Sequence, residues 1–197
     1  SQSYSLYIPP KTGNEKLPVI YFFDPHADGK LPLTKYQQLA NTYHFILAGS
    51  NNSKNGNDWA TAENIWHSLF DDTQKRLHIN TNRIYTCGFS GGAKVASYIA
   101  LHFTGIAGVI TGGAVLPDGV APGNFNFSIT MLSGEGDMNM TDIAATGNAF
   151  DKSSTHHRIN FFDGKCGIVY PKITFKSQFV LSWQKYEIFI NTLHLAF

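Results

Sequence analysis

Ser90 is the residue of this sequence whose surroundings best suit chemistry. It lies in the middle of a G-x-S-x-G pattern that runs from Gly88 to Gly92, directly after the β-rich run RIYTCG and directly before a helical pattern. A strand that turns into a helix within so few residues forces the serine into a strained backbone conformation and exposes its hydroxyl. The pattern therefore predicts a serine nucleophile, and a plain strand-to-helix turn is the alternative.

The residue after the serine also suits such chemistry. Gly91 would open the predicted helix, where backbone N–H groups lack intrahelical partners and the helix dipole is positive. An N–H group at this position can donate a hydrogen bond to the oxyanion that forms when a nucleophile attacks a carbonyl carbon. Gly91 is therefore the predicted first oxyanion donor.

Seven short β-rich runs must position these residues, and they alternate with helical patterns as in an α/β fold. The run PVIYFF is apolar throughout, which is typical of a buried parallel strand. We therefore predict a mainly parallel sheet with helices on both faces and with ligands at the carboxyl ends of its strands. The runs cover residues 4 to 8, 18 to 23, 45 to 50, 83 to 88, 106 to 111, 128 to 133 and 158 to 162.

Five helices are predicted between and after these strands. Thr34 is expected to cap a helix that runs to Tyr43, and Thr61 is expected to cap the next one, because apolar residues recur at helical spacing behind each. The remaining three are expected from 90 to 103, within 141 to 150 and within about 177 to 195.

Composition limits the class of protein. A chain of 197 residues that is 43% hydrophobic can bury one sizeable core, so a single domain over residues 1 to 197 is expected. The formal charge of +1 argues against a nucleic-acid partner. No run approaches the roughly 18 apolar residues that cross a bilayer, so we expect a soluble protein, cytoplasmic or exported after removal of a leader.

The sequence contains two cysteines, Cys87 and Cys166, which are too few for a disulfide framework. Cys87 ends a β-rich run and is expected to be a small buried residue.

Three stretches of the chain resemble the α/β-hydrolase superfamily, in particular its small esterases of the dienelactone hydrolase, polyhydroxybutyrate depolymerase and feruloyl esterase type. The stretches are LPVIYFFDPHADG, RIYTCGFSGGAKVASYIAL and MLSGEGDMN, they occur in the family's order, and the resemblance covers about residues 4 to 165. It implies the α/β-hydrolase fold and hydrolysis of a small-molecule ester without a cofactor, through a nucleophile elbow at Ser90, an acid and a His in that chain order. A flavodoxin-like binding domain is the alternative fold, but it does not explain why an elbow and an acid loop coincide.

The resemblance also implies that the loop DPHADG, residues 24 to 29, completes the oxyanion hole with a backbone N–H group. Pro25 has no N–H group, so His26 or Ala27 is the predicted donor, with His26 as the first choice. The His26 imidazole could also reach the pocket. The loop begins like a calcium-binding loop, but Lys35 occupies the position that requires a bidentate Glu, so no metal is expected.

The acid and the base of the triad are also implied by the resemblance. The acid falls on Asp137 in the loop GEGDMN, with Glu135 as the competing carboxylate, and the base should follow the last predicted strand. Cys166 stands there instead of a His, and an unperturbed thiol with a pKa of about 8.5 is a poor base. Because a serine hydroxyl is a weak nucleophile without a base, the triad is predicted to be incomplete and the activity impaired.

Two functions remain open from the sequence: an impaired ester hydrolase, or an inactive relative that binds a small molecule. After Lys165 the resemblance ends, through divergence or through a changed reading frame. His156 and His157 come just before the last predicted strand and should lie at the edge of the sheet opposite Ser90. The loop NNSKNGNDW, residues 51 to 59, is the predicted rim of the pocket.

Overall fold

A seven-stranded sheet forms the centre of the molecule. The structure is a computed structural model that describes residues 1 to 10 and 13 to 162, so the predicted helix within 177 to 195 and Cys166 lie outside the described residues. All seven predicted strands are confirmed, with ends that differ by a few residues. They are β1 (Tyr4–Tyr7), β2 (Leu17–Phe23), β3 (Ile46–Ser50), β4 (Ile79–Phe89), β5 (Ile106–Gly112), β6 (Ser128–Gly134) and β7 (His157–Phe162).

The strands lie in the order β1-β3-β2-β4-β5-β6-β7. Only β1 is antiparallel to its neighbour, and the other five pairings in this sheet are parallel. Every residue of β2 is buried, as its uninterrupted apolar sequence predicts for a strand covered on both faces. The chain therefore forms the mainly parallel sheet that the alternating pattern predicts, and the carboxyl ends of β2, β4, β5 and β6 share one edge.

Within residues 1 to 10 and 13 to 162, four helices cover the two faces of the sheet. They are α1 (Lys30–Tyr43), α2 (Trp59–Arg76), α3 (Gly91–His102) and α4 (Met140–Phe150). On one face, side chains of α2, α3 and α4 such as Trp66, Ile99 and Ile143 join a core with alternate residues of the strands. On the other face, α1 contributes Leu33, Tyr36 and Ala40 to a second core. The prediction of helices on both faces is confirmed.

Two predicted helix caps are wrong, by five residues in α1 and by three residues in α2. Helix α1 begins at Lys30, four residues before Thr34, because Pro32 is tolerated in a first turn and the Asp28 carboxylate accepts the N–H of Leu31 at 3.0 Å. Helix α2 begins at Trp59, and its cap is Asp58, which accepts the N–H of Thr61 at 2.8 Å. Asp and Thr are both good caps, so propensity alone does not choose between them.

Cys87 has the predicted buried position. It is 5% exposed on β4 within the second core, and it forms no disulfide with any residue that the structure describes. Burial raises the pKa of its thiol from 9.0 to about 12, so the residue is a neutral, unreactive side chain at physiological pH.

Candidate active site

Ser90 lies at the junction of β4 and α3 in a strained conformation. Its φ is 53° and its ψ is −120°, a region of backbone space that costs about 1–3 kcal/mol for a residue with a side chain. Its N–H donates to the carbonyl oxygen of Gly112 at the end of β5, at 2.7 Å, and its own carbonyl oxygen accepts from Ala93 and Lys94. The strand is therefore turned sharply into the helix, as the sequence pattern predicts.

The glycines of the G-x-S-x-G pattern are required because backbone passes where side chains would be. A Cβ atom on Gly88 would lie 2.1 Å from the carbonyl oxygen of Gly92, and one on Gly92 would lie 1.9 Å from the carbonyl oxygen of Phe23. A contact below 3.0 Å with a backbone atom cannot be relieved by rotating a flexible side chain, so the backbone itself would have to shift. The start of α3 is thus packed directly onto its own strand and onto the end of β2.

Asp137 lies at the same edge of the sheet, two strands away from β4 in the sheet order. Its Oδ1 accepts the N–H of Asn139 at 2.7 Å, and the Asn139 amide donates to the carbonyl oxygen of Gly113 at 2.8 Å. A Cβ on Gly113 would lie 3.5 Å from Asp137 Oδ2, so the half-buried carboxylate rests above the end of β5. Glu135 is exposed, and its N–H donates to Phe162 at the end of β7.

The loop predicted to complete the oxyanion hole is organised around the buried carboxylate of Asp24, which was not among the predicted site residues. Asp24 is 2% exposed, and its Oδ1 accepts the N–H of His26 at 2.7 Å and the N–H of Asp28 at 3.3 Å. The N–H of Ala27 points to the carbonyl oxygen of Asp24 at 3.3 Å, with a φ of 63° at Ala27. The backbone N–H groups of His26 and Ala27 therefore already have acceptors within the loop.

The His26 imidazole lies outside the packed part of this loop. Its side chain is 61% exposed, and Nδ1 is 3.8 Å from Asp24 Oδ1. The signal that could have identified Asp24 is its position directly after a buried parallel strand, where a carboxylate can collect the N–H groups of the following turn.

The loop predicted as a rim is pinned to the DPHADG loop and reaches the elbow. Lys54 forms an antiparallel bridge with His26, and the Asn55 N–H donates to the carbonyl oxygen of Pro25 at 2.9 Å. The Asn55 side chain lies against Gly91, where an added Cβ would be 1.9 Å from its Oδ1. Asn55 is thus a residue of the predicted rim that no local sequence pattern distinguishes from its neighbours.

A cleft of about 730 Å³ opens at the elbow. Ser90, Gly91, Asn55 and Gly56 form one side, residues 114 to 120 form another, and Asp142, Ile143 and Thr146 of α4 lie opposite. Lys94 of α3 and Asp118 form an ion pair beside it. The cleft thus mixes apolar walls with polar groups, which suits a small polar molecule.

Trp59, at the end of the loop predicted as a rim, is not among the lining residues of this cleft. Its ring stacks on Tyr98, with ring centroids 4.3 Å apart.

None of the described residues that line this cleft is a histidine. His157 begins β7 and pairs in register with Ile129 near the start of β6, so it lies at the opposite edge of the sheet, as predicted. His67 and His102 lie in helices α2 and α3, where they contact Phe103 and Tyr98. Among the described residues, therefore, only His26 is at the correct edge.

Within residues 1 to 10 and 13 to 162, neither a candidate metal site nor a membrane-spanning helix is found. This part of the chain contains no group of three or more His, Cys, Asp or Glu side chains that could hold a metal ion. It also contains no helix that is long and apolar enough to cross a membrane.

This strand order, with an antiparallel first strand and a strained serine after the central strand, defines the α/β-hydrolase fold. Solved structures of esterases share it at low sequence identity. No protein-family model matches the sequence, and a comparison with curated proteins finds no match.

Three structural neighbours illustrate how far the likeness extends. An acetyl ester-xyloside bifunctional hydrolase from Caldicellulosiruptor lactoaceticus has a TM-score of 0.71 at 15% identity, with 98% of this chain and 88% of that chain covered. A thermophilic esterase from Thermogutta terrifontis with butyrate bound has a TM-score of 0.67 at 13% identity, over 98% and 86%. The protein YahD with malic acid has a TM-score of 0.62 at 11% identity, over 98% and 100%. At such identities the comparisons establish the fold alone.

Proposed function

We propose that this chain is a serine-type carboxylic-ester hydrolase in which Ser90 is the nucleophile and the missing triad His impairs turnover. The observation that carries the proposal is the backbone of Ser90, with φ 53° and ψ −120°, at the mouth of a cleft. Strain of this kind persists only where the surrounding structure imposes it, and here it presents the hydroxyl beside the N-terminus of α3.

In the proposed reaction, Ser90 Oγ bonds to the carbonyl carbon of an ester and the C=O π pair moves to the carbonyl oxygen. The N–H of Gly91 hydrogen-bonds that oxyanion. Collapse of the intermediate breaks the bond to the alcohol oxygen, which leaves with a proton, and water then releases the acid from the acyl-enzyme. Asp137 is the proposed triad acid. The Ser90 proton goes to water, since Cys166 stands where a base is expected, and this limits the rate.

The substrate is proposed to be the ester of a small acid. The cleft volume of about 730 Å³ is in the range of small-molecule sites. Two neighbours with this fold were solved with butyrate and with malic acid, respectively, which supports an acyl group of similar size.

The test is hydrolysis of p-nitrophenyl butyrate by the natural chain, by Ser90→Ala and by Cys166→His, with Cys166→Ser as the matched control. We expect slow hydrolysis that Ser90→Ala abolishes. Restoring a base should raise turnover by about 10²- to 10⁴-fold, and Cys166→Ser should not. Equal rates for Ser90→Ala and its parent, in the natural chain and in Cys166→His, would overturn the proposal.

The second candidate is a binding module for a small molecule. It is favoured by one observation: the cleft reaches Ser90, yet none of its described lining residues is a histidine. A chain that binds butyrate or malate but shows no turnover even as Cys166→His supports this candidate over the hydrolase.

A further inference from the structure

In the DPHADG loop, the two backbone N–H groups predicted as the second oxyanion donor of the proposed hydrolase are already engaged. The N–H of His26 donates to the Asp24 carboxylate at 2.7 Å, and the N–H of Ala27 is directed at the Asp24 carbonyl oxygen. A hydrogen bond to a buried carboxylate is charge-assisted, so releasing His26 from it would leave a buried charge less well satisfied. Neither N–H group can therefore serve as the second donor without giving up its present hydrogen bond.

Asn55 is the side chain that the fold brings to this position. Its backbone is held against the DPHADG loop by its N–H bond to Pro25 and by the adjacent bridge from Lys54 to His26. Its carboxamide lies against Gly91, the residue whose N–H is the proposed first donor, and it lines the same cleft as Ser90. A side chain on Gly91 would collide with it, since a Cβ there would be 1.9 Å from Asn55 Oδ1.

The Asn55 carboxamide is also free to act. Within residues 1 to 10 and 13 to 162, no hydrogen-bond partner of this group is found, whereas the nearby Asn51, Asn52 and Asn57 side chains are all hydrogen-bonded. An amide carries two N–H donors at one end and an acceptor at the other, and a half turn about its last torsion exchanges them. Negative charge developing on a bound carbonyl oxygen favours the orientation that presents the donors.

We propose that the Asn55 carboxamide supplies the second oxyanion donor, so that a side chain from the loop after β3 replaces the engaged N–H of His26. The proposal rests on the proposed function. As Ser90 Oγ bonds to the carbonyl carbon, the π pair that moves to oxygen is stabilised by the N–H of Gly91 and by Asn55 Nδ2–H. Asn55 neither gains nor loses a proton, and its contribution is greatest where the charge on oxygen is greatest.

The test uses a tetrahedral adduct, so that it does not depend on the missing base. Phenylboronic acid accepts a lone pair of Ser90 Oγ into the empty orbital of boron, the serine proton is lost to solvent, and the boron becomes tetrahedral and anionic. One boron-bound oxygen then occupies the place of the oxyanion. The dissociation constant is measured by titration, and the tetrahedral boron is identified by ¹¹B NMR.

The variants are Asn55→Ala and Asn55→Asp, with Asn52→Ala as the matched control from the same loop. The Asn52 side chain accepts the N–H of Ser3 and lies outside the cleft lining. Loss of a hydrogen bond to a charged group weakens binding by about 10- to 100-fold, so we expect that loss for Asn55→Ala. Asn55→Asp should weaken binding further, because it keeps the size but has no donor and repels the boronate. Asn52→Ala should bind as the natural chain does.

The outcomes separate the two proposals. If the natural chain forms no tetrahedral adduct, or if Ser90→Ala forms the same adduct, the nucleophile itself is wrong. If the natural chain forms the adduct and Asn55→Ala binds within twofold of it, the Ser90 assignment stands and the role of Asn55 is overturned. A loss in Asn52→Ala equal to that in Asn55→Ala, with unchanged unfolding midpoints, also overturns it, because the effect then belongs to the loop as a whole.

Discussion

The elbow around Ser90 and the acid loop around Asp137 lie at the same edge of one sheet, yet they are built differently. At the elbow, backbone packs on backbone: Gly88 on Gly92, and Gly92 on Phe23. At the acid loop, side-chain hydrogen bonds add to a backbone turn: the Asp137 carboxylate accepts the N–H of Asn139, and the Asn139 amide donates to Gly113 just after β5. Met138, which lies between Asp137 and Asn139 in the chain, is 94% exposed.

This difference indicates how each part responds to sequence change. A contact between backbones tolerates no added atom, so the elbow is preserved as a unit or lost with the local fold. A contact made by side chains at the surface can be altered with little effect on the fold. Function at this edge can therefore be lost on the acid side while the nucleophile keeps its geometry, and the following predictions test that contrast.

The largest effect is expected for Gly92→Ala. Its Cβ would meet the Phe23 carbonyl oxygen at 1.9 Å, so helix α3 and strand β2 would have to move apart to admit it. We expect a loss of about 3 kcal/mol in the free energy of unfolding, measured with urea. Gly123→Ala is the matched control, because the nearest atom to its added Cβ is 3.9 Å away. Equal stability of the two variants would contradict the close packing of the elbow.

The strand that leads to the elbow should make the fold sensitive to alkali. Burial raises the pKa of Cys87 from 9.0 to about 12, so the folded state keeps a proton that the unfolded state loses. The contribution of this group to stability is therefore complete well below pH 9, and it is lost as the pH rises toward the folded pKa, by roughly 3 kcal/mol at pH 11. Urea unfolding of the natural chain and of Cys87→Ala from pH 8 to 11 measures it. The variant should show a shallower decline, and parallel curves would contradict this.

A smaller effect is expected at the nucleophile itself. Because Ser90 adopts a positive φ of 53°, which glycine accepts more readily, Ser90→Gly should raise the free energy of unfolding by about 1 kcal/mol. Ser90→Ala keeps the strain and serves as the control. A glycine variant no more stable than the alanine variant would show that the elbow is not strained.

The smallest effect on stability is expected in the acid loop. Asp137→Asn keeps an oxygen that can accept the N–H of Asn139, so the free energy of unfolding should change by no more than about 0.5 kcal/mol. Turnover of p-nitrophenyl butyrate by Cys166→His should fall when Asp137→Asn is added, since a carboxylate stabilises the imidazolium that forms at a restored His. Undiminished turnover would remove Asp137 from the proposed triad.

The sequence by itself determined the features that depend on neighbours along the chain. Period-two and apolar runs indicated all seven strands, and two glycines around Ser90 indicated the elbow, because a strand that must turn into a helix constrains the few residues between them. The starts of α1 and α2 were less well determined. Asp28 and Asp58, and not Thr34 and Thr61, accept N–H groups of the first helical turns, and only three-dimensional hydrogen bonding selects them.

The tertiary structure alone decided how the loops at the carboxyl edge share their donors and acceptors. The Asp24 carboxylate accepts the N–H of His26, which was the first choice for the second oxyanion donor. Asn55, in the loop after β3, lies beside Gly91. Residues 55 and 91 are far apart in the chain, and they meet only because β3, β2 and β4 stand in that order in the sheet. Contacts of this kind follow from strand order and loop packing, which no local pattern of residues encodes.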